Sequence, residues 1–229
     1  MSGRDDAVEW ARLPLFPLNS VLFPGMVLPL HIFEDRYKIM IDRCMENDHP
    51  FGVVLIREGK EVGGPAVPYG VGTTAMVAAV NKLEDGQMSV VAIGGERFRL
   101  RAIRRGLPYL VGDAEPWPLA GAAAQRAQAL VGPVRALFRH YLSLLAQAQG
   151  HKIDVEDIPD EPRMLALLIG IALQVPMPQK QRLLDRHTVG QMLWAERVIM
   201  RREQLLLSHI IRTQTEQWEG GFSGYLARN

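Results

Sequence analysis

The chain has 229 residues and a single cysteine, Cys44. One thiol excludes an internal disulfide and any metal site built from several cysteines, and it fits a reducing compartment. Charge of one sign is also missing. The 26 basic and 25 acidic residues leave +1, so no overall field draws the chain to nucleic acid or to an anionic membrane, and such a partner would need a local patch. The histidines, His31, His49, His140, His151, His187 and His209, contain no H-x-x-x-H pair and none stands near Cys44, so no metal site or other cofactor site can be read. The phosphate-cradling pattern G-x-x-x-x-G-K-[ST] is absent, because Gly59-Lys60 is followed by Glu61 and lacks the upstream glycine.

A membrane span is missing too. The apolar run Leu13–Phe33 is long enough, but Pro14, Pro17, Pro24, Pro29 and Asn19 make it a poor spanning helix. The first twelve residues carry Arg4, Asp5, Asp6, Glu9 and Arg12 with no apolar core segment, unlike a secretory signal. The expectation is a soluble, cytoplasmic protein with no membrane partner.

What is present is 48% hydrophobic residues, enough to build one large core or two smaller ones. The four prolines confine the opening run to short edge strands and turns, and Pro24-Gly25 suits the middle of a type II turn. Tyr37, Met40, Ile41 and Cys44 then recur at helical spacing after Phe33, predicting a helix over Glu34–Glu46. Phe51–Ile56 reads as a buried strand, with a loop over Gly59–Pro68. Val71–Leu83 and Met88–Ile93 flank Glu84-Asp85-Gly86-Gln87, where Asp-Gly can supply positive φ values for a hairpin. In Arg97–Ala102 strict alternation puts Phe98, Leu100 and Ala102 on one strand face and Arg97, Arg99 and Arg101 on the other. Tyr109–Glu115 completes about six strands and one helix before Pro116 and Pro118.

From Ala120 the hydrophobic period becomes helical. Leu130, Val134, Leu137, Phe138, Tyr141, Leu145 and Ala148 form one helical stripe, and Pro133 is expected to kink or restart that helix near Gly132. Met164–Val175 is apolar nearly all round and reads as a fully buried helix with Asp160 as N-cap and Pro162 in its first turn. After Pro176 and Pro178 comes a short helix over Gln179–Asp185, and Thr188 with Gln191 forms a capping-box pattern opening the last helix. The tail Glu219–Gly224 reads as loose. The class is therefore α+β, a β-rich lobe followed by a helical bundle.

No constellation reads as catalytic. Gly70-Val71-Gly72-Thr73-Thr74-Ala75 fits a dinucleotide fingerprint in letters, but the next residues read as strand where a helix is required. Gly221-Phe222-Ser223-Gly224 has no strand before it and lacks the last glycine of a nucleophile elbow. Cys44 lies on an apolar helical stripe and reads as a buried, inert thiol. Arg97, Arg99 and Arg101, with Arg104 and Arg105, are the one dense basic cluster; pairing with Glu96, Asp113 or Glu115 is favoured over phosphate binding. Glu34, Asp35 and Arg36 beside Phe33 put charge at a helix start next to an apolar side chain, the composition of an interface rim. Glu196 and Glu203 fall on the apolar stripe of the last helix, where arginines of another helix such as Arg135, Arg163 or Arg182 are the expected partners.

Five segments carry a family resemblance: LPLFPLNSVLFPGMVLPLHIFEDRY (Leu13–Tyr37), VGTTAMV (Val71–Val77), DGQMSVVAIGGERFRL (Asp85–Leu100), MPQKQRLLD (Met177–Asp185) and REQLLL (Arg202–Leu207). Together they resemble the Lon protease N-terminal domain over about residues 11 to 211. The resemblance implies a PUA-like, partly open barrel over 11–118 and a helical bundle lobe over 119–215. It further implies a stand-alone, non-catalytic substrate-recognition module, without the ATPase and protease domains of Lon. Its partners would be polypeptide clients or components of the proteolytic machinery, met through Phe33, Glu34, Asp35 and Arg36. Nucleic-acid binding through the PUA-like lobe and the patch Arg97, Arg99 and Arg101 is the alternative; neither reading fixes the oligomeric state.

Overall fold

The structure is a computed structural model, and it describes residues 10–61, 66–150 and 157–226, with side chains to residue 213. The first nine residues, the middle of the Gly59–Pro68 loop and His151 lie outside the described residues. The chain divides into two compact units, Met1–Ala120 with Gly170–His187, and Gly121–Ile169 with Thr188–Asn229.

The first unit holds seven strands in one sheet. They are β1 (Leu13–Leu18), β2 (Val27–Ile32), β3 (Phe51–Gly59), β4 (Ala66–Pro68), β5 (Val71–Lys82), β6 (Met88–Arg104) and β7 (Leu110–Pro116). The order β1-β7-β6-β5-β3 closes on itself through a parallel β1–β3 pairing, which makes a ring from which β2 and β4 stand aside. How β1 carries two prolines is visible in the register. Leu13–Leu15 pair with β7 and Leu15–Leu18 with β3, so Pro14 and Pro17 each have a ladder on one side alone and neither missing amide leaves a gap. β2, with Pro29, pairs with the first half of β6.

Two expected strands, Met88–Ile93 and Arg97–Ala102, are one strand, β6. Gly94 lies at the join because the turn before β2 docks there: its amide donates to the Met26 carbonyl at 2.9 Å, and the Gly25 amide donates to its carbonyl at 2.8 Å. A Cβ on Gly94 would sit 2.3 Å from the Phe23 carbonyl oxygen. The turn is the one Pro24-Gly25 predicts, closed from the Met26 amide to the Phe23 carbonyl at 3.1 Å, with Gly25 at φ 80°. In the β5–β6 hairpin only Gly86 takes positive φ, at 76°, while the Asp85 side chain accepts from the Gln87 amide. The Asp-Gly pair therefore works as one left-handed glycine plus a side-chain acceptor. Part of the expected loop at Gly59–Pro68 is strand, since β3 runs to Gly59 and β4 pairs back onto it.

Helix α1 (Asp35–Asn47) buries Tyr37, Met40, Ile41 and Cys44, the expected stripe. These join Phe16, Phe51, Val53 and Val90 in the larger core cluster, with the Phe16 and Tyr37 rings stacked at 4.1 Å. A second cluster gathers Leu13, Leu15, Val54 and Ala114 around Phe98. The short helix α4 (Met177–Leu184) belongs to this unit. Its Gln181 donates to the Val71 carbonyl at 3.0 Å, and Lys180 donates to the Ile171 carbonyl at 2.8 Å.

In the second unit α2 (Gln125–Ala148) runs on through Pro133 as one helix, so it does not restart there. It buries Val134, Phe138 and Tyr141 and packs on α5 (Val189–Leu226). The Thr188–Gln191 capping box forms as predicted, with amide-to-side-chain distances of 3.3 and 3.4 Å. The backbone of Glu219–Gly224, read as a loose tail, is part of α5. Helix α3 (Pro162–Ala172) departs from expectation twice. Met164 is exposed, so the helix is not buried all round, and Glu161, not Asp160, caps it by accepting from the Met164 amide at 2.6 Å. Asp160 pairs with Arg135.

Candidate functional site

Phe33 follows the last residue of β2 and is 47% exposed, with its ring 6.3 Å from that of His31. The three charged residues after it divide between two roles. Glu34 occupies the N-cap position of α1 and pairs with Arg36 at 2.9 Å; Arg36 also lies over the Tyr37 ring at 4.5 Å and donates to the Glu61 carbonyl at 3.4 Å. Asp35 is in solvent and pairs with Lys38 one turn on. Burial pushes the Tyr37 hydroxyl pKa up, against the pull of Arg36. The result is an exposed aromatic ring beside an ion pair held on a buried tyrosine.

A second exposed apolar feature lies on the sheet. Val27 of β2 stands opposite Ile93 of β6, which stands opposite Met76 of β5. Residues directly opposite share a face, and these three are 57%, 44% and 40% exposed. One step along, Pro29 pairs with Val91, and Val91 with Ala79. The row crosses three strands on the outer face. Sequence reasoning missed it because β6 is apolar on both faces here, and such a run looks the same whether its second face meets a core or a partner.

The arginine strand behaves otherwise. Arg97 is only 3% exposed and donates to main-chain carbonyls of Leu184 and Arg186, so it shares no surface with the other two. Arg99 lies over the Trp117 ring at 3.4 Å, Arg101 pairs with Glu115, and Arg104 with Asp113 at 3.7 Å. The cross-strand acids meet Arg101 and Arg104 as the favoured reading has it. Alternation holds for Phe98 and Leu100 but not for Ala102, which is exposed beyond a register shift between Leu100 and Ala102, and the α4 segment covers Arg97.

The helix carboxylates also differ from expectation. Glu203 has an arginine partner, but it is the adjacent Arg202, at 2.7 Å. Glu196 is fully buried, and neither of its carboxylate oxygens has a hydrogen-bond partner among the described residues. Desolvation raises its pKa well above the ordinary value, because burial disfavours the charged form. Cys44 is buried, with its thiol pKa raised by desolvation to about 11. Among the described residues no group of three or more His, Cys, Asp or Glu could hold a metal ion, and no helix is long and apolar enough to cross a membrane.

These features describe an α+β module with a closed strand ring, a helical unit and apolar side chains displayed on its surface. The chain belongs to the ATP-dependent protease La (LON) substrate-binding domain family, whose model matches residues 12–202. It is 35% identical over 211 residues to the Lon protease of Paraburkholderia phytofirmans, covering 89% of this chain and 26% of that one. Against the Lon protease of Anaeromyxobacter dehalogenans it is 30% identical over 178 residues, covering 76% and 21%. The chain thus spans about a quarter or less of the length of these relatives. Among solved structures, a Lon N-terminal domain protein from Xanthomonas campestris is similar at TM-score 0.57 and 26% identity, covering 80% of this chain and 95% of that one. The N-terminal domain of a Mycobacterium avium complex Lon protease shares the fold at TM-score 0.64 and 20% identity, covering 84% and 97%.

Proposed function

We propose that this chain recognises polypeptides for a proteolytic system and performs no chemistry of its own, working in the cytoplasm on client chains or on components of the proteolytic machinery. The observation that carries this reading is the row Val27, Ile93 and Met76, apolar side chains exposed in register across three paired strands. Phe33, with Glu34, Asp35 and Arg36 as its polar rim, is a second contact. Fully burying such a side chain is worth about 1.5–3 kcal/mol, and half of that surface is already covered, so the row contributes about 3 kcal/mol in all. That alone gives affinity weaker than about 1 mM, and tighter binding needs several contacts engaged together. Weak, distributed contact suits a surface that samples many unfolded sequences and releases them.

The test is binding of a chemically unfolded polypeptide by the full chain, compared with the Ile93→Asp/Met76→Asp double variant and with Phe33→Ala. The double variant should keep its melting temperature and bind about tenfold more weakly, the loss of about 1.4 kcal/mol. Unchanged binding in the double variant removes the row from the function, and ATP hydrolysis or peptidase activity that follows the pure protein contradicts the non-catalytic reading.

A further inference from the structure

A cleft of about 320 Å³ opens on the first unit, with Arg12, Arg43, His49 and Tyr109 among its walls and Leu107 and Val111 as apolar lining. Local structure explains how these side chains arrive there. Arg12 ends the single 3-10 turn that precedes β1, and Arg43 is in the last turns of α1. That helix stops where Asp48 takes a left-handed φ of 54°, and the His49 amide donates to the Cys44 carbonyl at 2.9 Å. The left-handed cap turns the chain back on itself and delivers His49 to the cleft wall. Arg43 is further positioned by donating to the Tyr109 hydroxyl at 3.2 Å.

Among the described residues, none that lines this cleft carries a carboxylate. Some arginines of the same unit have carboxylate partners, Arg57 with Glu58, Arg101 with Glu115 and Arg104 with Asp113. Arg12 and Arg43 have no such partner among the described residues. A guanidinium held by a neutral hydroxyl keeps its other donors for an incoming anion, and carboxylates match its planar fork. The volume is near the lower end for ligand sites, about 300 Å³, which suits a chain end more than a folded surface. A second cleft of about 470 Å³ shares Leu107 and Tyr109 with the first and adds Lys60 and Arg105, giving the preceding residues of such a chain a place to lie.

We propose that this cleft binds a carboxylate carried beside an apolar side chain on a polypeptide, with Arg12 and Arg43 taking the carboxylate and Leu107 and Val111 the apolar group. The source the geometry favours is the α-carboxylate of a chain terminus. The proposal rests on the polypeptide-binding reading and adds the chemistry of one site to it.

The experiment is fluorescence anisotropy with the full chain and three nitrobenzoxadiazole-labelled hexapeptides: one ending in leucine with a free carboxyl group, the same peptide amidated, and an amidated peptide with aspartate before the leucine. The free acid should bind about tenfold tighter than the plain amide, as expected for a charge-assisted hydrogen bond. Arg43→Gln and Arg12→Gln, both confirmed folded by thermal melts, should each bring the acid toward the amide. If the aspartate amide matches the free acid, the carboxylate chemistry stands and the terminus is overturned as its favoured source. Equal binding of acid and amide, or no change in either arginine variant, overturns the cleft. An unfolded polypeptide measured on the same preparation separates the two levels: binding of that chain with equal acid and amide sinks the cleft alone, and loss of both sinks the polypeptide-binding reading as well.

Discussion

Arg97 donates from Nη1 to the main-chain carbonyl of Leu184 at 2.6 Å, and to that of Arg186 at 2.8 Å. A strand residue thereby holds the end of α4, where the last carbonyls of a helix have no partners of their own. Hydrogen bonds from a charged donor are worth about 1.5–3 kcal/mol, and leaving carbonyls enclosed without a donor costs a similar amount. Arg97→Met should therefore destabilise the protein by about 3 kcal/mol. Hydrogen exchange should also speed up at the Asp185 and Arg186 amides, which close the final turn of α4. Arg97→Lys should restore only part of the loss, because its ammonium has donors enough but sits one bond short of where Nη1 stands. A loss under about 0.5 kcal/mol in denaturant titrations would put Arg97 among ordinary surface residues.

The same substitution should have opposite signs at two glycines. A Cβ on Gly72 would stand 2.4 Å from the Val53 carbonyl oxygen and 2.7 Å from the Phe98 ring. The first is strand backbone and the second a fully buried ring at the centre of its cluster, so neither can yield cheaply. Gly72→Ala should cost about 2–3 kcal/mol, the usual cost of overpacking. Gly190, in the first turn of α5, is different: a Cβ there would meet only the Ala127 backbone, at 3.8 and 3.9 Å, which is ordinary contact. Gly190→Ala should stabilise by about 0.5 kcal/mol, the helix penalty of glycine. Denaturant midpoints that move the same way in both variants would contradict the packing.

What could be read from the sequence was whatever a few neighbouring residues decide. The α1 stripe, the Pro24-Gly25 turn, the Thr188–Gln191 box and the change of period after Ala120 depend on spacing within one or two turns. The features that escaped depend on which distant segment covers a face. Alternation marks Arg97 as opposite Phe98 but carries no sign that α4 returns to enclose it. Helical spacing puts Glu196 on a buried stripe but does not show that no arginine among the described residues reaches it, nor that Glu203 uses its neighbour Arg202. At the candidate site, Phe33, Glu34, Asp35 and Arg36 stood out in the abrupt change from apolar to charged residues, but the Glu34–Arg36 ion pair did not. Val27, Met76 and Ile93 were not, since their exposure depends on strand pairing and on what the outer face lacks.

Cys44 is only 3% exposed, and desolvation raises its thiol to about 11. A thiol reacts as thiolate, so at pH 8 the native protein offers almost none, and access is closed as well. Iodoacetamide should leave the native chain unmodified at pH 8 on the timescale in which it labels the denatured chain completely. Labelling should track the opening rate and not the reagent concentration once opening is limiting. Rapid native alkylation, read by intact mass, would show that the helix stripe carrying Tyr37, Met40 and Ile41 is not packed as described.

Glu196 carries the strongest pH prediction. Its ordinary value is 4.5, and complete burial with no hydrogen-bond partner among the described residues raises it well above that. Below pH 4.5 the group is protonated in both the folded and unfolded chain, so its contribution is fully present there. As pH rises past that value the unfolded chain releases the proton while the folded chain keeps it, and stability falls by up to about 1.4 kcal/mol per pH unit until the folded group titrates. Asp185 is shifted in the same direction, chiefly by burial, so the wild-type curve alone mixes two groups. The difference between wild type and Glu196→Gln isolates the one in question. That variant cannot ionise, and its melting temperature should decline less between pH 5 and 8. Glu196→Leu also removes the unpartnered polar atoms, and at pH 8 it should melt above wild type, by about 2–4 °C for each kcal/mol recovered in a chain of this size. Parallel curves for wild type and Glu196→Gln across that range would mean the carboxylate ionises in the fold, with water or a cation beside it, and that the α2–α5 packing is open at that point.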